Sequence, residues 1–325
     1  MTEAWNGAGL PPVAAARVAE ARYRGNWSSA LSAGEFAALR SVGFEPVGLV
    51  MGSAVHRVAF GGQDADYFDC MYAGAGRYGS VGYFPSDVAL SGTGAPAAGL
   101  VQVLDTARRT AIGRMAAECA ALGGDGVVAA QLTMHPFPTA PNCLEFKVIG
   151  TAVRAAGPVR PPWPFTSHLN GAGFAKLVAA GWVPVQLLVG MSVAVRHDDY
   201  RTLQQKRSPD NAEMSGWSQL LRRVRADART QLSLQTAGYG GDGAILADAP
   251  LRHWEQLCPR VRGEEEQVDH IADCIMIGTA VARFATASSA PRTLSVLSLK
   301  RDDSDVKADQ LRRRLAQAAA DGQPH

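Results

Sequence analysis

Apolar positions recur with helical spacing most clearly over residues 100–122, where Leu100, Leu104, Ala107, Ala111, Met115, Cys119 and Leu122 step by three or four. Such spacing lays one apolar stripe along a helix. The stripe returns at a constant spacing of 117 residues as Trp217, Leu221, Val224, Ala228, Leu232, Thr236 and Tyr239. Each helix runs into Gly-Gly-Asp-Gly, at 123–126 and 240–243, and glycines there accept the left-handed conformation that stops a helix and turns the chain. The opposite faces carry Arg108, Arg109 and Arg114, then Arg222, Arg223, Arg225 and Arg229, the second of which, with acids such as Asp227 interleaved, reads as solvated.

Ahead of each long helix stands an extended segment, 47–60 and 185–196, whose Val, Leu and Met density over so short a length predicts a buried strand. A short helix over 34–42 precedes the first, with Ser32 as N-cap, Glu35 as its capping-box partner and Gly43 as the stop. Asn170, Phe174, Gly181 and Pro184 repeat Ser32, Phe36, Gly43 and Pro46 at a spacing of 138 residues. Strands are predicted at 126–133 and 144–154, then at 243–248 and 273–284, the third of each set closing on Gly-Thr-Ala-Val at 150–153 and 278–281. Helices are further expected over 13–23 and 303–320. Repetition of a whole element order over more than about a hundred residues implies a duplicated domain, not a solenoid.

The 325 residues suit two domains. The predicted boundaries are a first domain at 1–156, with an N-terminal extension and a Gly- and aromatic-rich insertion over 61–99, a semi-rigid Pro-rich linker at 157–164, a second domain at 165–290 and a helical tail at 291–325. The second copy crosses the place of the insertion with 198–215 and adds its own excursion over 251–269.

Composition changes little in this picture. Hydrophobic residues at 47% and charged ones at 19% make a globular chain, and a net charge of +2 gives no argument for nucleic acid or an anionic membrane as partner. Five scattered cysteines without a CxxC pair favour a reduced, cytoplasmic setting over a disulfide framework. The uncharged window 178–195 has the length of a membrane span, but Gly181, Pro184 and Gly190 interrupt it, so it reads as a helix end, a turn and a strand.

The order strand, long helix, strand, strand, the helix end at 121–128 and the Gly-Thr-Ala-Val close together resemble the YbjQ-like family, known under the label heavy-metal-binding domain. The resemblance covers about 44–154 and 182–284. It implies an α+β architecture of two tandem dodecin-like β-α-β-β domains, each a helix packed on a small antiparallel sheet, and self-association, since the family forms pentameric rings. An odd ring of single domains cannot be built from whole tandem chains without stacking or pairing. Glu118, Asp125 and Gly150 match the family's helix acid, turn polar residue and final-strand glycine, and Gln235 replaces the acid in the second copy. Glu118, Asp125 and Asp242 are therefore the expected ligand contacts.

For a transition metal such as zinc or copper, the candidate ligands are His253, Cys258 and His270, because imidazole and thiolate are the groups such ions select. Cys274 also follows His270 at even spacing, but two such positions on one strand stand about 13 Å apart. A poorer set is Asp125, His135 and Cys143. No HExxH, GxSxG or Walker loop is present, and Cys70 lacks an evident base, so a non-catalytic protein is expected. Its leading description is a homo-oligomer that binds a small ligand or metal at a domain or subunit interface; the alternatives are a heavy-metal module and a scaffold for protein or RNA through the arginine faces.

Overall fold

The computed structural model describes residues 5, 9–24, 28–57, 89–90, 98–198, 200–257 and 268–284, all within one compact unit, Met1–Ala285. Most of the insertion at 61–99 and the predicted helix at 303–320 lie outside the described residues. In chain order the elements are α1 (Pro12–Arg24), α2 (Ala33–Ser41), β1 (Phe44–Arg57), β2 (Ala89–Leu90), α3 (Ala98–Ala121), β3 (Gly126–Phe137), β4 (Ala140–Ala155), β5 (Phe165–Thr166), α4 (Gly171–Ala179), β6 (Trp182–His197), α5 (Tyr200–Arg207), α6 (Ser215–Gly238), β7 (Gly243–Asp248), β8 (Leu251–Leu257) and β9 (Val268–Arg283). Helices and antiparallel strands occur side by side, so the fold is α+β.

One sheet has the order β1-β4-β3-β5 and the other β2-β6-β9-β7, with β8 continuing along β9 beyond β7. In both, the first strand pairs with the third and the third with the second. The register slips at Pro46/Gly48 in β1 and at Pro184/Gln186 in β6, where a proline has no N–H for the ladder. The capping box of Ser32 and Glu35 and the Asn170 cap both form. Gly43 and Gly181 take φ of +79° and +83° to end their helices.

The glycines inside strands mark close approaches. A Cβ on Gly52 would lie 1.9 Å from the Ala111 carbonyl oxygen of α3, and one on Gly190 would lie 2.2 Å from that of Ala228 in α6. Gly150 and Gly278, which open the Gly-Thr-Ala-Val phrases, make room for Val127 and for the Ile245 backbone of the neighbouring strands. The threonine that follows anchors the segment before each short helix. Thr151 Oγ1 accepts the Ala30 N–H at 3.3 Å and lies 3.3 Å from Ser29 Oγ, while Thr279 Oγ1 accepts the His168 N–H at 3.1 Å and lies 3.3 Å from Ser167 Oγ.

Four layers follow from the contacts. Ala107, Ala111, Met115 and Cys119 of α3 share one core with Val50, Val148 and Ala152 of the first sheet and with Leu187 and Met191 of the second. The helix is thus buried between two sheets. On the far side of the second sheet Ala194, Ala272 and Cys274 pack on Leu220, Val224 and Ala228 of α6. Burial of each large side chain here contributes about 1.5–3 kcal/mol.

Several elements depart from expectation. The excursion at 251–269 begins as a strand, β8, because the outer half of β9 offers an open edge once β7 ends. The stretch 198–215 holds a helix, α5. The window 178–195 ends α4 and continues as β6, and no described helix is long and apolar enough to cross a membrane.

Candidate functional site

Where α3 meets the second sheet, the bulge of β6, the proline-rich segment before β5 and the end of α6 enclose a cavity of about 740 Å³. Its walls are apolar, among them Ile112, Pro164, Val185 and Leu187, with Gln186, Gln235 and Tyr239 as polar points. Arg108, Arg109 and Asp125 are the charged residues in its lining.

Arg108, although opposite the apolar stripe of α3, is not on an open face. It is 3% exposed, and its Nη1 donates to the Val189 carbonyl of β6 at 2.5 Å while its other arm meets Asp105. Burial pulls the guanidinium below its ordinary pKa and Asp105 opposes that pull. The reason is tertiary: the back of the second sheet covers this side of α3. Arg114 is likewise engaged, with Nη1 on the Ser53 carbonyl at 2.6 Å and its guanidinium over the Trp5 ring. Arg109 keeps a 60% exposed side chain and pairs with Asp105 at 2.6 Å.

The three expected ligand contacts do not converge. Glu118 is 3% exposed, and its carboxylate accepts the Met51 N–H at 2.8 Å and an N–H from Arg17. Asp125 accepts the Ala155 N–H at 2.8 Å and an Arg160 N–H at 2.5 Å. Asp242 does the same for the Arg283 N–H at 2.8 Å. Both aspartates fasten the end of a third strand to the turn after a long helix, and Asp125 also lines the cavity, whereas Glu118 and Asp242 do not. Gln235, singled out in the sequence only as the replacement for the acid, and Tyr239, seen there only on the helix stripe, both reach the cavity. Gln235 Nε2 donates to the Val189 carbonyl at 3.0 Å.

A second cluster forms on the outer half of the second sheet. Diagonal pairing of β8 and β9 brings His253 Nε2 to 3.2 Å from His270 Nδ1, and His270 Nε2 lies 3.0 Å from Asp198 Oδ2. Trp217 Nε1 donates to the other Asp198 oxygen at 3.2 Å. The His270 ring is wholly buried. Burial alone would raise the Asp198 pKa, but the hydrogen bonds from His270 and Trp217 outweigh it and hold the carboxyl below its usual range. Burial, then the neighbouring His270, push His253 down.

His253 and His270 do come together, as the metal candidates require, but not as a metal site. Two ring nitrogens bonded to each other share one proton, so while that bond stands they cannot both offer lone pairs to an ion. Cys258 lies outside the described residues. Among the described residues no three His, Cys, Asp or Glu side chains gather in a way that could hold a metal. The buried thiols are poor ligands: burial pushes Cys119, in the core under α3, up to about 12 and raises Cys274 on β9. Asp125 sits at one end of β3 while His135 pairs with Glu145 toward the other, so that set is dispersed. The described residues do not fit a resident heavy metal.

The family model described as "Putative heavy-metal-binding" matches residues 90–156, the span of α3, β3 and β4. The encapsulin nanocompartment protein Rv1762c of Mycobacterium tuberculosis is 31% identical over 244 residues, which cover 73% of this chain and 81% of that protein. The chain belongs to the YbjQ-like family. The YbjQ-like match takes in Glu118, Asp125, Gly150 and Thr151, whose contacts here are with the protein's own backbone and side chains.

Proposed function

We propose that this protein is a non-catalytic, self-assembling component of a protein compartment, built from two tandem dodecin-like copies, that holds a small apolar ligand with an anionic head where the copies meet. The observation that carries the ligand part is the cavity of about 740 Å³, mostly apolar in its lining and with Arg108 and Arg109 among the residues that line it. Pockets of this size and lining take ligands whose few polar groups fix their orientation. The compartment part comes from the relative named as an encapsulin nanocompartment protein. A cytoplasmic setting accords with the unpaired cysteines Cys119, Cys143 and Cys274.

The non-catalytic reading is supported by the chemistry of the two clusters. Asp198 and His270 form an acid–imidazole pair, yet the next partner of His270 is His253, not a nucleophile. The arginine-scaffold alternative keeps only the outer face of α6, because Arg108 and Arg114 are engaged within the fold.

The test is native against denaturing mass spectrometry of the purified chain, with the cavity-lining Ala116→Trp variant alongside. A retained small molecule that the tryptophan displaces supports the reading. A chain that retains nothing, and whose melting is unmoved by medium-chain carboxylates, removes the ligand from it.

A further inference from the structure

We propose that the chain assembles head to tail, with the segment at 28–31 of one molecule adding to the free edge of β7 of the next. This rests on the self-assembly part of the reading above and names its interface.

The molecule contains one such junction already made. The segment starting at β5 lies beside β3 through four backbone hydrogen bonds: Phe165 N–H to Asp125 O at 3.1 Å, Ser167 N–H to Val127 O at 2.8 Å, Ala129 N–H to Leu169 O at 2.8 Å and Ala130 N–H to Ser167 O at 2.9 Å. Val127 and Val128 are fully buried there. The face of the second sheet that carries Leu187 and Met191 covers α3, and Arg108 crosses to the Val189 carbonyl.

Both halves of a second, equivalent junction stand open among the described residues. Residues 28–31 occupy the place of 166–169 at the 138-residue spacing, and Thr151 holds them as Thr279 holds their counterparts. No strand lies beside 28–31 among the described residues. At the other end β7, the counterpart of β3, pairs among the described residues only with β9, and Leu246, the counterpart of Ala129, is 53% exposed. An uncovered edge of this kind invites a strand from another chain.

The faces repeat the pattern. Leu187, Val189 and Met191 of β6 are nearly buried, at 3%, 2% and 6%, but their counterparts Leu49, Met51 and Ser53 of β1 are only partly covered. Arg225 of α6, the counterpart of Arg108, is exposed, and the carbonyl it would reach on the next molecule is that of Met51. Because these two half-junctions differ from each other, the contact is heterologous, and repetition gives a ring if the rotation closes or a filament if it does not. The outer junction is looser than the inner one, since Arg229 replaces Ile112, Lys147 replaces Ile275 and Ala33 replaces Gly171, which in the inner junction lies against the Glu35 backbone. Assembly is therefore concentration-dependent.

The test is light scattering and native mass spectrometry of the full chain across concentrations, with two blocked variants. Leu246→Pro removes the N–H that corresponds to the Ala129 donor, at an edge where proline is tolerated. Leu49→Lys sets a cation against the arginines of α6. Each variant alone is expected to stay monomeric, and their mixture to form a one-to-one dimer, because each retains the half the other lacks. Melting curves close to wild type keep this readable, and the exposed Arg225→Glu, which touches no core, is expected to weaken assembly about tenfold. Variants that assemble like wild type, a mixture that stays monomeric, or an Arg225→Glu without effect overturn the proposed interface and leave self-assembly standing. A wild type that is monomeric at every concentration removes both.

Discussion

The packing of α3 against β1 is tested most directly by Gly52→Ala. The added methyl would lie 1.9 Å from the Ala111 carbonyl oxygen, 2.6 Å from the Met115 nitrogen and 3.0 Å from the Ala111 carbonyl carbon, all helix backbone. Ordinary contact requires about 3.4 Å or more, so helix and strand must separate by over an ångström. The helix has nowhere to go, because the second sheet closes its other side through Leu187 and Met191. Overpacking of this kind costs about 1–3 kcal/mol, and a trapped helix puts it at the upper end. For a unit of this size about 3 kcal/mol lowers the melting temperature by roughly 6–12 °C. Gly113→Ala is the internal control: the same helix, no atom within 4 Å of the new methyl, and an expected gain of about 0.5–1 kcal/mol from helix propensity. Differential scanning calorimetry of both variants decides the matter. If Gly52→Ala melts with the wild type while Gly113→Ala is stabilised, the close approach is wrong.

Acid should destabilise the fold in two steps. His168, held down by burial, and His253, held down by burial and His270, are bound by more protons in the unfolded chain, so stability falls as pH drops below about 6.5. Asp198, also depressed, loses its contribution only as pH falls through the carboxylate range below about 4. Melting curves from pH 7.5 to 5.5 check the first step, and His168→Gln is expected to flatten it. Alkylation with iodoacetamide followed by peptide mapping should spare Cys119, whose thiol is pushed up to about 12, and Cys274, while the half-buried Cys143 reacts. Asp125→Ala should cost about 1–3 kcal/mol in urea denaturation and more than Asp242→Ala, because it strands both the Ala155 amide and Arg160.

What the sequence disclosed was what short-range chemistry determines. The stripe of α3, the middle of the α6 stripe from Val224 to Thr236, the Ser32 and Asn170 caps and the glycine stops depend on residues within a turn or two of each other, and they form where expected. At the start of α6, by contrast, Gly216 and Leu220 are buried in place of Trp217 and Leu221, and Tyr239 at its end is exposed. Gly150 and Thr151 were visible as a repeated phrase, but their purposes, clearing room for Val127 and anchoring the segment at 29–30, depend on partners far away in the chain. The burial of Arg108 was hidden for the same reason, since its partner Val189 lies 81 residues away. His270 stood out only as a candidate metal ligand, and its enclosure by Asp198, 72 residues earlier, and by Trp217 could not be read from the residues around it. The cavity could not be read at all, because its walls come from α3, the linker, β6 and α6 together.

The exchange of Glu118 for Gln235 at equivalent places has a local cause that can be tested. Glu118 accepts the outward amide of Met51, and its remaining charge is met by Arg17 of α1. Gln235 faces the Val189 carbonyl instead, donates to it and shares it with Arg108, so a carboxylate there would repel the oxygen it faces. The acid thus belongs with Arg17 of α1. Glu118→Gln keeps an acceptor for Met51 and loses only the pairing with Arg17, whose side chain is 43% exposed, so about 1 kcal/mol is expected. Glu118→Ala leaves the Met51 amide without that acceptor and should cost about 2–3 kcal/mol. Both variants should also speed proteolytic cleavage between α1 and α2, since the ion pair ties α1 to α3. Equal stability losses in urea, with α1 no easier to clip than in the wild type, would mean that Glu118 does not hold that helix in place.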